Sequence, residues 1–282
     1  MNGGNAVTLK IWQVDAFASK PLEGNPAAIV PLESWLDASL MQAIAAENNV
    51  AETAFFVKTG AGVYDLRWFA PSREVDLCGH ATLASAWILF TLLDTSLEKV
   101  RFMTRSGELV VEKRVGGNLM SLPSAPSEPF DPPPGFLDAL GKTLGSAPQE
   151  LHISAKGGAG AKALIAVWHT PDDVKALSPT AELEHVALQV GAGSVLATAP
   201  GGGNPYDMVS RFFAPHYGVL EDPVTGSAHC ALTPFWAKRL GKKTLKARQA
   251  SPRGGDLLCT DDGASTLIQG NCALYLTGEI EI

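Results

Sequence analysis

Cysteine is scarce in this chain. Four residues, Cys78, Cys230, Cys259 and Cys272, are spread over 282, and no two are spaced C-x-x-C. That spacing excludes a disulfide framework and gives no zinc-binding pattern, so no metal is expected. Long apolar runs are also missing: none reaches the ~18–20 residues of a membrane span. Residues 1–10, MNGGNAVTLK, lack the apolar core of a signal peptide. A cytoplasmic protein with no membrane partner is expected. Positive charge is in deficit, with a net charge of −7. Lys242, Lys243, Lys246 and Arg248 form the one basic cluster, which reads as a solvated surface rather than a nucleic-acid footprint. A phosphate-binding loop is absent too. Residues 201–205, GGGNP, are followed by no Lys-Ser/Thr pair and no helical pattern, so they read as a flexible loop tip.

What is present is ordinary for a globular protein, with 46% hydrophobic and 18% charged residues. The length suits two domains. One stretch occurs twice: residues 67–86 read RWFAPSREVDLCGHATLASA, and residues 211–231 read RFFAPHYGVLEDPVTGSAHCA. Each copy runs from Arg-aromatic-Phe-Ala-Pro to a Gly followed by small helix-compatible residues. The copies lie too far apart for a solenoid repeat and instead suggest two similar domains facing each other across a cleft. Within each copy the aromatic pair ends a strand, and the proline, which has no N–H to donate, stops the ladder. The glycine then starts a helix whose free N–H groups and positive dipole end suit a carboxylate. Two strand-loop-helix corners of a duplicated fold, with no binding role, are the plainer alternative.

Along the chain, residues 8–16 alternate like a strand. Residues 37–48 form a helix with Asp37 as N-cap and Leu40, Ile44 and Ala45 on one face. Residues 83–93 (LASAWILFTLL) are apolar nearly all round and predict a helix buried in the centre of the first domain. Residues 232–240 complete its counterpart, capped by Gly241. The expected fold is α+β: two similar domains, each a β half-barrel around a central helix. The expected boundaries are 1–123 and 135–272, joined by the linker 124–134 in a proline-rich segment, with residues 273–282 returning to the first domain. Glu52, between alanines at the mouth of an apolar strand, is expected to be partly desolvated, with a raised pKa suited to proton transfer. A solvent-facing Glu is the plainer reading of that residue alone.

Several segments together resemble the phenazine-biosynthesis PhzF-like isomerases. They are Asp15-Ala16-Phe17 with Gly24-Asn25-Pro26-Ala27-Ala28, then Ala51-Glu52-Thr53-Ala54-Phe55, then both repeats, including Leu77-Cys78-Gly79-His80-Ala81-Thr82 and Glu221-Asp222-Pro223-Val224-Thr225-Gly226-Ser227. The resemblance implies the diaminopimelate-epimerase-like fold, a homodimer, no cofactor, and proton transfer on a small unsaturated or amino-substituted carboxylic acid. It also implies Glu52 as general acid/base with Asp222 assisting, and Gly79, His80, Gly226 and Ser227 as the groups that hold the acid. Relatives on this fold that racemise with two thiols place a Cys before each corner Gly. Here Cys78 precedes Gly79 but Thr225 precedes Gly226, and one thiol cannot run that reaction. Cys78 then reads as a remnant or a packing residue, and His229 as structural. A catalytically silent binding or scaffold protein on the same fold is the other alternative, although Glu52, His80, Asp222 and Ser227 are all present.

Overall fold

The computed structural model describes residues 7–154, 162–203 and 205–282. It divides into two compact units, Met1–Met120 with Gly270–Ile282, and Ser121–Gln269. In the first unit the strands are β1 (Thr8–Ala16), β2 (Asn25–Leu32), β3 (Glu52–Gly60), β4 (Val63–Ala70), β5 (Arg73–Val75), β6 (Lys99–Thr104), β7 (Gly107–Arg114) and β8 (Gly117–Pro123). β1 lies antiparallel to β2 and to the C-terminal strand, Cys272–Glu281. β2 then runs parallel to β3, β3 antiparallel to β4, and β4 antiparallel to β5 but parallel to β6. Two further antiparallel pairings, β6–β7 and β7–β8, extend the ladder.

The second unit repeats this order. Its strands are β9 (Ser127–Pro129), β10 (Glu150–Ser154), β11 (Lys162–Val167), β12 (Ala192–Pro200), β13 (Met208–Ala214), β14 (Val219–Asp222), β15 (Thr244–Gln249), β16 (Gly255–Asp261) and β17 (Ser265–Gly270). β10 is antiparallel to β9 and β11, β11 is parallel to β12, and β12 is antiparallel to β13. β13 is antiparallel to β14 and parallel to β15, and β15–β16–β17 close as an antiparallel meander. The sequence of parallel and antiparallel steps from β10 to β17 is that of β1 to β8. The duplicated segment therefore marks a duplicated topology.

Each parallel step needs a crossover, and helices supply it. In the first unit, α1 (Ala38–Asn48) joins β2 to β3, and α2 (Gly79–Ile88) joins β5 to β6. α2 packs against β1, β2, β3 and the C-terminal strand, which makes it the central helix of its unit. Its residues from His80 to Ala86 are all buried, as small and apolar side chains allow. Residues 89–93 leave the α-helical course in a single π-turn, and Leu92 and Leu93 emerge exposed, so the buried helix ends earlier than the expected 83–93. In α1 the expected face is partly corrected. Ile44 and Ala45 are buried, but Met41 joins them and Leu40 is exposed. Asp37 takes the N-cap position with its backbone carbonyl only, since its side chain makes no capping bond.

In the second unit, α3 (Phe136–Leu144) precedes β10. α4 (Pro171–Lys175) and α5 (Leu183–Leu188) connect β11 to β12, and α6 (Gly226–Leu240) connects β14 to β15. α6 packs on β15 and β16 and ends at Gly241, whose left-handed φ of 60° closes the cap onto the Ala237 carbonyl. In the glycine-rich loop, Asn204 lies outside the described residues. Gly201 is held rather than loose: its N–H donates to the Asp207 carbonyl at 2.8 Å, and an added Cβ would lie 2.1 Å from the Tyr206 carbonyl oxygen.

Gly24, just before β2, is the tightest backbone position beside the site described below. Its φ is +65°, and an added Cβ would stand 2.1 Å from the Ala16 carbonyl oxygen. Gly24→Ala is expected to destabilise the protein by roughly 2–4 kcal/mol, through left-handed strain and backbone displacement together. Urea denaturation measures it. A loss under about 0.5 kcal/mol would show that the loop relaxes freely.

Candidate active site

In the first unit, β-sheet register and the start of α2 bring four side chains together. Glu52 opens β3 opposite Ala27 of the parallel strand β2. His80 is the second residue of α2, and Cys78 occupies its N-cap position without a side-chain capping bond. Asn25 opens β2 and is fully buried. Oε2 of Glu52 lies 3.1 Å from Nε2 of His80, with 20% and 6% of the two side chains exposed. On the other side of the ring, Nδ2 of Asn25 is 3.2 Å from Nδ1. Sγ of Cys78 is 3.5 Å from Nδ1 and 3.9 Å from Nε2, so the sulfur sits beside the ring and not in line with either nitrogen. The Thr82 hydroxyl donates to the Cys78 carbonyl at 2.6 Å and fixes the turn into the helix.

Burial by itself would push the Glu52 carboxyl up. The charge and contact of His80, the nearby Cys78 and the field of Arg73 outweigh it, and the carboxyl is held below its ordinary value. The raised pKa expected for Glu52 is thus corrected: desolvation is real, but a partner on the ring side dominates. Burial disfavours the imidazolium of His80, yet Cys78 and Glu52 together raise His80 well above its ordinary value. Burial pushes the Cys78 thiol itself up to about 11, so near neutral pH the supporting charge is that of Glu52. A depressed carboxylate contributes stability above its unfolded pKa and loses it as pH falls. A raised imidazole contributes below its unfolded pKa and loses it as pH rises. The pair is therefore fully charged only between these two limits.

Glu52, Cys78 and His80 are also the one group among the described residues whose His, Cys and carboxylate donor atoms all fall within 4.8 Å of one another. With the sulfur off the axis of both ring nitrogens, the arrangement suits a proton-sharing contact better than coordination of a metal. Cys78 is not a bystander, since its sulfur touches His80 and lies within 4.8 Å of the Glu52 carboxylate.

The second unit holds Asp222, Gly226 and Ser227. Asp222 ends β14 and Thr225 caps α6, where the Thr225 hydroxyl donates to Oδ2 of Asp222 in a short bond. Gln249, fully buried on β15, clamps this turn. Its Oε1 accepts from the Thr225 N–H at 2.8 Å, and its Nε2 donates to the Asp222 carbonyl at 2.8 Å. The Ser251 hydroxyl donates to the Pro223 carbonyl at 2.7 Å. Gly226 and the half-buried Ser227 then start α6, where free N–H groups suit an anion. Gly79 and His80 take the same place in α2.

The arginine that opens each repeat has a structural task. Arg67 grips Glu74 through two bonds of 2.7 and 2.9 Å, and Arg211 grips Glu221 through two of 2.7 and 2.8 Å. Glu221, which the sequence groups with Asp222 and Ser227, is thereby committed to Arg211. Asn25, Cys78 and Gln249 are contacts that sequence reasoning missed. Asn25 does lie in one of the segments that carry the family resemblance, but nothing in the sequence marks Gln249.

His229 is fully buried on α6. Its Nδ1 donates to the Thr225 carbonyl at 2.8 Å, while Nε2 has no hydrogen-bond partner among the described residues. Burial lowers its pKa to about 4. An unfolded chain binds this proton at the ordinary value, whereas the folded chain refuses it until about pH 4. Stability should therefore fall as pH drops from about 6.5 toward 4, by up to roughly 3 kcal/mol. His229→Gln is expected to flatten that part of the stability–pH curve. An unchanged slope would show that other groups cause it.

Comparison with known proteins follows the fold. A hydroxyproline epimerase from Agrobacterium vitis superposes with a TM-score of 0.60 at 10% identity, over 98% of this chain and 93% of that one, which places the architecture among the epimerase-like folds. A PhzF-family protein of Enterococcus faecalis superposes with a TM-score of 0.88 at 38% identity, covering 98% of this chain and 100% of the other. The chain belongs to the phenazine biosynthesis-like PhzC-PhzF family, whose profile matches residues 14–278. An uncharacterized isomerase of Pseudomonas aeruginosa is 44% identical over 97% of this chain and 99% of its own. A phenazine biosynthesis-like domain-containing protein of Bos taurus is 40% identical over 96% and 99%. Among the described residues no helix is long and apolar enough to cross a membrane.

Proposed function

We propose that this protein is a cofactor-independent isomerase that moves a proton on a small unsaturated or amino-substituted carboxylic acid. Glu52 is the general acid/base. The observation that carries the reading is its carboxylate, 3.1 Å from His80 in a pocket of buried groups and with a fifth of its own side chain open to solvent. A base that must take a proton from carbon and return it needs access, a dry surrounding and a partner that steadies both charge states. Glu52 has all three. Gly79 and His80, and separately Gly226 and Ser227, stand at helix starts whose N–H groups favour a carboxylate or a developing negative charge. Asp222, held by Thr225, assists. That relatives bear the name isomerase supports the reaction class.

Solvent-deuterium exchange into a panel of small cyclic and amino carboxylic acids, read by mass spectrometry, tests the reading. Exchange with wild type and not with Glu52→Gln supports it. Equal exchange in both proteins sinks Glu52 as the base. Ligand-induced thermal stabilisation without any exchange would instead favour a binding protein on this fold.

A further inference from the structure

We propose that Asn25 is the positioning residue of this site, its side-chain amide deciding which nitrogens of His80 carry a proton and hence what faces Glu52. The proposal rests on the acid/base reading of Glu52 for its importance, but not for its test. An imidazole ring has two nitrogens, and the hydrogen bond made by one decides what the other presents. In His80, Nε2 is turned to Glu52 at 3.1 Å and Nδ1 to Asn25 at 3.2 Å. With the amide nitrogen of Asn25 toward the ring, Nδ1 has to be bare, because an amide N–H donates and cannot accept. The one ring proton then sits on Nε2, the nitrogen 3.1 Å from the Glu52 carboxylate. With the amide turned over, its oxygen accepts from a protonated Nδ1, and the ring can carry both protons as an imidazolium. Amide nitrogen and oxygen fill the same space, so both arrangements fit one backbone.

An asparagine can thus offer Nδ1 either a donor or an acceptor as the Glu52–His80 pair loses or gains one proton. A carboxylate there would hold the imidazolium only, and a hydrocarbon would satisfy neither form. The groups that act on the pair are few: Glu52 and Cys78 face the ring, and Arg73 acts on Glu52. Asn25 itself cannot drift. It is fully buried, its backbone is paired with Ala16 of β1, and Gly24 before it is locked against the Ala16 carbonyl.

Nitrogen-15 NMR of the His80 ring through a pH titration tests this on the protein alone, with no substrate. In wild type, Nδ1 should pass between bare and protonated forms while Nε2 stays protonated beside Glu52. In Asn25→Asp the doubly protonated ring should persist to higher pH, with the Nδ1 transition moved up by at least about one unit. In Asn25→Ala, Nδ1 has lost the amide N–H that favours its bare form, so the transition should also move up, by less than in Asn25→Asp. Thermal unfolding shows that each variant is folded, and the isosteric Asp keeps the test available should Ala fail. Two folded variants titrating like wild type would overturn the proposal and leave Asn25 a packing residue. The deuterium-exchange assay on the same variants is read separately. Shifted titration without any exchange in wild type would remove the enzyme reading and leave the proton assignment standing.

Discussion

Glu52→Gln is expected to cut the exchange rate by roughly 10²–10⁴-fold, the usual contribution of a positioned acid/base group. The change keeps the shape of the side chain and one carbonyl oxygen, so the architecture of β3 and α2 should survive it. What it removes is the negative charge that, in the proposed mechanism, takes the proton, and that supports a protonated His80. The loss should appear in kcat and in kcat/KM alike, because a group that acts on the moving proton stabilises the transition state rather than the bound acid. Asp222→Asn should cost less, since Asp222 is already occupied with the Thr225 hydroxyl and, in the proposed mechanism, assists rather than transfers. Should Glu52→Gln keep exchange within tenfold of wild type while Asp222→Asn abolishes it, the roles would be exchanged. As for pH, the Glu52 carboxyl is held low, so base activity should extend to more acid pH than an ordinary carboxylate would allow. An alkaline limb should follow loss of the proton from His80, whose pKa is raised. Activity confined to a narrow window around the ordinary carboxylate value would contradict this geometry.

Arg211→Met is expected to cost roughly 3–5 kcal/mol of stability, because it removes the countercharge that Arg211 gives the Glu221 carboxylate in a nearly dry surrounding. Only 7% of the Arg211 side chain and 15% of Glu221 are exposed. Arg211 also donates to the carbonyls of Val174 and Lys175, at the end of α4, and of Leu177 just beyond it, so these bonds are lost as well. Arg67→Met, at the matching place in the first unit, should cost less, on the order of 1–2 kcal/mol. Arg67 is 22% exposed, and Glu74 keeps a second cation, Arg105, at 2.9 Å. Urea denaturation of the two variants side by side gives the comparison. Equal losses would mean that the repeated Arg–Glu pair matters through its geometry alone and not through burial.

The repeated arginine shows how far pattern reading reaches. Its recurrence before Phe-Ala-Pro was visible as spacing, and it correctly announced two units of one topology. Its task was not visible, because the glutamate it grips stands at a different offset in each copy: Glu74 is on the short strand β5, Glu221 on β14. The central helices were legible as runs of small and apolar residues, which only a buried helix tolerates. Their ends were less legible. The π-turn at residues 89–93 and the exposed Leu40 depend on what packs outside the helix, and periodicity does not carry that.

Composition, the duplicated corner and the family resemblance determined the fold class and named Glu52, His80, Asp222 and Ser227, since each of these is a matter of residue type and local order. The electrostatics of the site belonged to the tertiary structure alone. Asn25, Glu52 and His80 lie on three different elements, and parallel pairing of β2 with β3 is what sets the first two beside the start of α2. An isolated desolvated glutamate would have a raised pKa. One facing an imidazole has a lowered pKa, and the difference in sign comes from a neighbour 28 residues away in the chain but 3.1 Å away in space. Gln249 is the same case in the second unit: a neutral residue with no sequence signal that holds the turn carrying Asp222 because β15 runs alongside β13.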